Sequence, residues 1–162
     1  MRRALIGSLA LLTLAAVSFG WEDTEPAAEP DRAALEKQFA ETMSGATLVG
    51  SFTVTGGEKT ELKEERYTLG EVKKLNDDFW LFETRIQYGE RDLKVPLQLE
   101  VKWAGDTPVI TLTDTEVPGL GKFTSRVVIY RDHYCGYWDG GDHGGHLFGT
   151  IERAKEADAE RE

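Results

Sequence analysis

An antiparallel up-and-down β-barrel of about eight strands, with a short helix ahead of it, is the fold that this sequence predicts. Three observations predict it. From Leu93 onward, Val95, Leu97, Leu99, Val101 and Trp103 alternate with Pro96, Gln98, Glu100 and Lys102, the period of two expected of a strand with one dry and one wet face. Strand-like runs then follow one another through short turn-forming segments, without the intervening helices that a parallel sheet needs. Leu35, Phe39 and Met43 recur four apart, giving a single apolar helical stripe.

The elements follow in chain order. Asp31 caps the helix and Gly45 stops it; so short a helix must lie on a face or an open end of the barrel. Leu48, Gly50, Phe52 and Val54 define the first strand face, and Gly56-Gly57 breaks the run. Glu65 to Leu75 carries Tyr67, Leu69 and Val72, and the missed beat between the last two predicts a bulge. After Asn76-Asp77-Asp78, Trp80, Phe82, Ile86 and Tyr88 share one face of a long strand, with Glu83, Arg85 and Gln87 on the other. Gly89-Glu90-Arg91-Asp92 turns into the run from Leu93, and Ala104 to Pro108 turns into Val109-Ile110-Thr111-Leu112. Pro118-Gly119 fits the centre of a type II turn, since proline fixes the first φ and glycine accepts the positive second one. Phe123, Ser125, Val127 and Ile129 share one face of the next strand, and Thr124, Arg126, Val128 and Tyr130 share the other. Tyr134 to Trp138 and His146 to Glu152 complete the set on either side of a glycine-rich loop. The same strands can form a two-sheet sandwich, but closing the barrel removes exposed edges.

The 162-residue chain therefore divides into residues 1–20 as a secretory signal peptide, 21–30 as a flexible spacer, 31–153 as one barrel domain and 154–162 as a charged tail. Met1-Arg2-Arg3 followed by the apolar run Ala4 to Phe19 is the layout of an export signal. Its removal would take away Arg2 and Arg3 and move the formal charge from -10 to -12. So negative a domain is a poor binder of nucleic acid or anionic lipid, and no stable membrane insertion is expected after cleavage. Localisation is read as periplasmic or extracellular. Cys135, the single cysteine, has no internal disulfide partner and is expected to be buried.

The segment Trp103 to Val109, the Pro-Gly-Leu-Gly turn Pro118 to Gly121 and the glycine-rich ending Gly136 to Gly149 resemble those of small exported bacterial domains of unassigned activity. The strand count and the Gly136-Tyr137-Trp138 triplet also resemble those of calycin or lipocalin-like barrels, whose Gly-x-Trp sits near the start of the barrel rather than the end. Neither resemblance transfers a catalytic residue.

Two sets of residues carry the chemical expectations. Trp80, Tyr88, Trp103, Phe123 and Phe148 are assigned to an interior that either packs solid or lines a cavity for a small apolar ligand. All three histidines and the cysteine fall between positions 133 and 146, and His133, Asp142, His143 and His146 offer nitrogen and oxygen ligands suited to zinc. The spacing matches neither paired CxxC nor helical HExxH, so no cofactor is the main expectation and zinc the alternative. Function is accordingly read as an exported binding or structural module for a small apolar ligand or an envelope protein. The competing class is a metal-dependent hydrolase using the C-terminal His/Asp/Cys cluster.

Overall fold

The computed structural model describes residues 31–56 and 60–153; the expected signal peptide, spacer and tail lie outside them. The chain runs α1 (Arg32–Met43), β1 (Thr47–Val54), β2 (Glu61–Asn76), β3 (Phe79–Tyr88), β4 (Arg91–Ala104), β5 (Thr107–Val117), β6 (Gly121–Tyr130), β7 (His133–Asp139) and β8 (Gly144–Glu152). Every strand pairs antiparallel with its successor, and β8 closes on β1. The expected barrel, rather than the sandwich, is what forms.

The interior is occupied by side chains from all eight strands. Leu48, Leu69, Phe82, Leu97, Ile110, Ile129, Tyr134 and Leu147 are each buried, and Trp80, Met43 and Val101 lose nearly all contact with solvent. The outer face of β2 to β4 bears Glu64, Arg66, Glu83, Arg85 and Lys94, all exposed. Charged-out and apolar-in is the reverse of a lipid-facing barrel. No helix among the described residues is long and apolar enough to cross a membrane.

Helix α1 plugs one end. The Asp31 carboxylate accepts from the N–H groups of Ala33 and Ala34 at 3.0 and 3.4 Å, satisfying first-turn donors. Phe39 then sits edge-on to Trp80, Phe82 and Trp103, with centroids 5.1, 6.2 and 6.0 Å away. Arg32 lies over the Trp103 ring at 4.9 Å. The helix stops at Gly45, whose φ of 74° suits a residue without Cβ.

The predicted bulge in β2 receives that helix end. Pairing with β3 slips between Leu69 and Val72, which frees backbone groups. The Gly70 carbonyl accepts from the Gly45 N–H at 3.0 Å, and the Val72 N–H donates to Ser44 Oγ at 3.0 Å. A second slip lies between Lys74 and Asn76, where Lys74 Nζ reaches Glu36 of α1 at 2.6 Å.

Candidate functional site

One carboxylate stands inside the barrel, together with the buried hydroxyls of Thr84 and Ser125. Glu65 on β2 is 5% exposed, and its carboxylate accepts from Tyr67 Oη at 2.7 Å and from Tyr134 Oη at 2.9 Å. Burial pushes the Glu65 carboxyl above its usual range, and the two tyrosine hydrogen bonds partly offset that. Burial and the neighbouring carboxylate push both phenols up as well. Tyr134, Gly149, Gly50 and Glu65 are successive cross-strand partners over β7, β8, β1 and β2. A Cβ on Gly50 would meet Tyr134 Oη at 2.5 Å, and one on Gly149 would meet the ring at 2.7 Å. The two glycines thus make the slot through which Tyr134 crosses the seam between first and last strands. This group escaped the sequence reading, although the alternation Glu65, Tyr67, Leu69 carries the signal by placing all three on the inner face.

The five residues assigned to a ligand cavity are not gathered. Trp80 and Trp103 pack under α1, whereas Tyr88 stacks edge-on with Phe52 at 5.8 Å and Phe123 tilts against Trp138 at 6.2 Å near the opposite end. Trp80 and Tyr88 share β3 but stand eight residues apart, roughly 26 Å along the strand. Phe148 corrects the expectation outright: Leu147 takes the inward position, and Phe148 points outward, 47% exposed.

The C-terminal cluster is dispersed too. His143 Nδ1 bonds Asp142 Oδ1 in the exposed β7–β8 loop, and that interaction holds the Asp142 carboxyl below its usual range. His133 lies opposite Thr150, four residues and about 13 Å from His146 along β8. Among the described residues no three His, Cys, Asp or Glu side chains gather to hold a metal. Cys135, expected to be buried, is exposed. It faces outward as His133 does, on a strand whose inward positions are held by Tyr134, Gly136 and Trp138.

What the structure does bring together lies on the outside. Three cross-strand rows lie on the outer face of β5, β6, β7, β8 and β1. One runs Thr111, Arg126, Tyr137, His146; the next Val109, Val128, Cys135, Phe148, Ser51; the third Tyr130, His133, Thr150, Val49. None of these thirteen residues is an Asp or Glu, in a chain with 29 of them, and Arg126 is the one permanent charge. Arg126 is itself tied down, its guanidinium donating to the Leu112 carbonyl and, at 3.0 Å, to Thr113 Oγ1. Tyr130, Tyr137 and Phe148 are 57, 46 and 47% exposed. Between Tyr130 and Phe148 runs a shallow groove of about 370 Å³, walled also by Val128, His133 and Thr150 and floored by Cys135. Exposed aromatic rings therefore cluster on this side of a strongly acidic domain, with a carboxylate at the edge: Asp139 Oδ2 accepts from Tyr137 Oη at 3.3 Å.

Compared with known proteins, the chain matches no family model, no curated protein and no solved structure.

Proposed function

We propose that this protein is an exported docking module that binds a protein partner through the outer face of β5, β6, β7, β8 and β1. The observation that carries the reading is the segregation of charge around the barrel. Carboxylates and ammonium groups crowd the outer face of β2 to β4, while the opposite side presents tyrosines, a phenylalanine and a groove lined by no acid, with Asp139 at the edge of the patch beside Tyr137. Interfaces are distinguished at their centres by this depletion of charge and enrichment in aromatic residues. A small apolar ligand has less support, because the interior is already occupied by side chains from every strand. The hydrolase alternative has less still, since His133, His143 and His146 do not converge.

Export rests on the Met1 to Phe19 pattern, and N-terminal sequencing of the protein from its native host checks it. A mature chain beginning near Trp21 is expected, and recovery of chains starting at Met1 would overturn export. Docking is tested with a photo-crosslinking residue at position 148, in cells, against the same residue at position 83 on the charged face. A discrete polypeptide adduct is expected from 148 and not from 83. Absence of any discrete polypeptide adduct from 148, or equal adducts from both positions, would overturn the docking surface.

A further inference from the structure

We infer that the seam between β8 and β1 is a gate built into the barrel, one that opens locally from the folded state and is latched by the Tyr134–Glu65 hydrogen bond. The inference stands independently of what binds the outer face.

An inward-facing side chain ties a strand to the core, and three inward positions beside the seam have none. They are Gly50 on β1 and Gly145 and Gly149 on β8. No side chain fits there: a Cβ on Gly50 would run into the Phe148 carbonyl, one on Gly145 into the Thr53 carbonyl and one on Gly149 into the Val49 carbonyl. The buried apolar anchors of the two seam strands are accordingly Leu48, Leu147 and Ile151. By contrast, β3 carries Trp80, Phe82 and Ile86, and β4 adds a buried valine or leucine at every second position from Val95 to Val101. The pairing at the seam is also shorter. It runs from Thr47–Glu152 to Phe52–Leu147, against Phe79–Glu100 to Tyr88–Arg91 for β3 and β4. A segment with fewer buried apolar contacts opens at lower free energy than the molecule as a whole.

Hydrogen bonds give the gate its hinge and its latch. At one end of the seam the His146 N–H donates to Thr53 Oγ1 at 2.9 Å, the Trp138 indole to the Thr53 carbonyl at 3.2 Å and the Thr55 N–H to the Gly144 carbonyl at 2.7 Å. β8 is therefore pinned near Thr53 and parts from β1 at the other end, where Gly149 to Glu152 faces Thr47 to Gly50. The Tyr134 hydroxyl reaches Glu65 across that movable half, from β7 past β8 and β1 to β2, at 2.9 Å. Parting the strands draws β7 away from β2 and breaks this bond. It also uncovers Leu48 and Ile151 and leaves an unpaired strand edge on each side.

Hydrogen exchange of single amides, followed by NMR on the mature chain with and without low urea, tests this. Amides that bridge the movable half of the seam are expected to exchange at least about tenfold faster than those of Val95 to Val101. Low urea should barely change the seam rates while it speeds exchange in β4, because a local opening exposes little surface. Tyr134→Phe keeps the ring in its slot and removes the hydroxyl, and seam exchange should rise by a further factor of roughly 2–10. Far-ultraviolet circular dichroism verifies that this variant is folded, and the wild-type comparison needs no variant at all. Seam amides as slow as those of β4, with the same response to urea, overturn the gate. Seam exchange in Tyr134→Phe equal to that of wild type overturns the latch, because the bond then survives opening.

Discussion

At the residue scale, Glu65 is the side chain whose chemistry departs furthest from its neighbours. Its carboxyl is raised by burial, so the fold binds a proton there more tightly than the unfolded chain does. The sign follows: the contribution of Glu65 to stability is complete below its unfolded value and is lost as pH rises through the higher folded value. Glu65→Gln keeps an acceptor and adds donors without a titrating charge. The stability of wild type relative to Glu65→Gln is therefore expected to fall between pH 4 and pH 8, read as the difference in urea midpoints. Asp78, Asp92 and Asp142, which are held below their usual range by Lys102, Arg85 and His143, act in the opposite direction but are common to both proteins and cancel. A difference that does not move with pH would show Glu65 to be ionised alike in both states. Glu65→Leu leaves two tyrosine hydroxyls without their acceptor and should cost about 1–3 kcal/mol for each hydroxyl that stays dry. Residue-scale features were also the hardest to read from sequence. Strand alternation gives the face a residue occupies, and this places Glu65 inward. Whether a particular position is covered depends on partners distant in the chain. Tyr134 reaches Glu65 only because Gly50 and Gly149 stand between them, and Cys135 and Phe148 are exposed because the sheet's outer side has no second layer.

At the element scale, α1 is both plug and clamp. Its apolar stripe of Phe39 and Met43 faces the barrel mouth, and its C-terminal turn engages the backbone groups freed by the β2 bulge. Phe39→Ala removes the ring that Trp80, Phe82 and Trp103 share and should cost about 3–5 kcal/mol. Water entering beside Trp80 and Trp103 should also shift native-state tryptophan emission to longer wavelength. A loss below 1 kcal/mol with unchanged emission would mean that the helix rests on the barrel without closing it. Ser44→Ala tests the clamp separately. It leaves the Val72 N–H without its side-chain acceptor and should cost about 1–3 kcal/mol if water cannot replace it. Elements were far more legible in the sequence than contacts were. The helix, the strand runs, the Pro118-Gly119 turn and the missed beat in β2 each have a local cause written into a few adjacent residues. The bulge could be read as a break in alternation, but its use as the socket for Ser44 and Gly45 could not, because that pairing joins segments some 28 residues apart.

At the scale of the whole molecule, the barrel is a chain of neighbouring hairpins closed by one distant pairing. Each strand meets its successor across a short connection, whereas β1 meets β8 only after almost the entire domain has been laid down, with Thr47 opposite Glu152. Loop-closure entropy makes the hairpin contacts available first and the seam last. Two buried leucine-sized residues separate these stages. Leu97 pairs with Phe82 across the β3–β4 hairpin, and Ile151 pairs with Leu48 across the seam. Truncation of either to alanine should cost about 2–5 kcal/mol at equilibrium. The kinetic expression should differ. Ile151→Ala is expected to speed unfolding and leave the folding limb nearly unchanged, with φ close to 0, while Leu97→Ala should slow folding as well, with φ of about 0.5 or more. Stopped-flow chevrons in urea measure both. A φ near 1 for Ile151 together with a φ near 0 for Leu97 would mean that the barrel nucleates at its seam. In that event the Tyr134–Glu65 tie, which spans the same seam, would be an early folding contact. Under the order argued here, it locks a barrel whose hairpins have already formed.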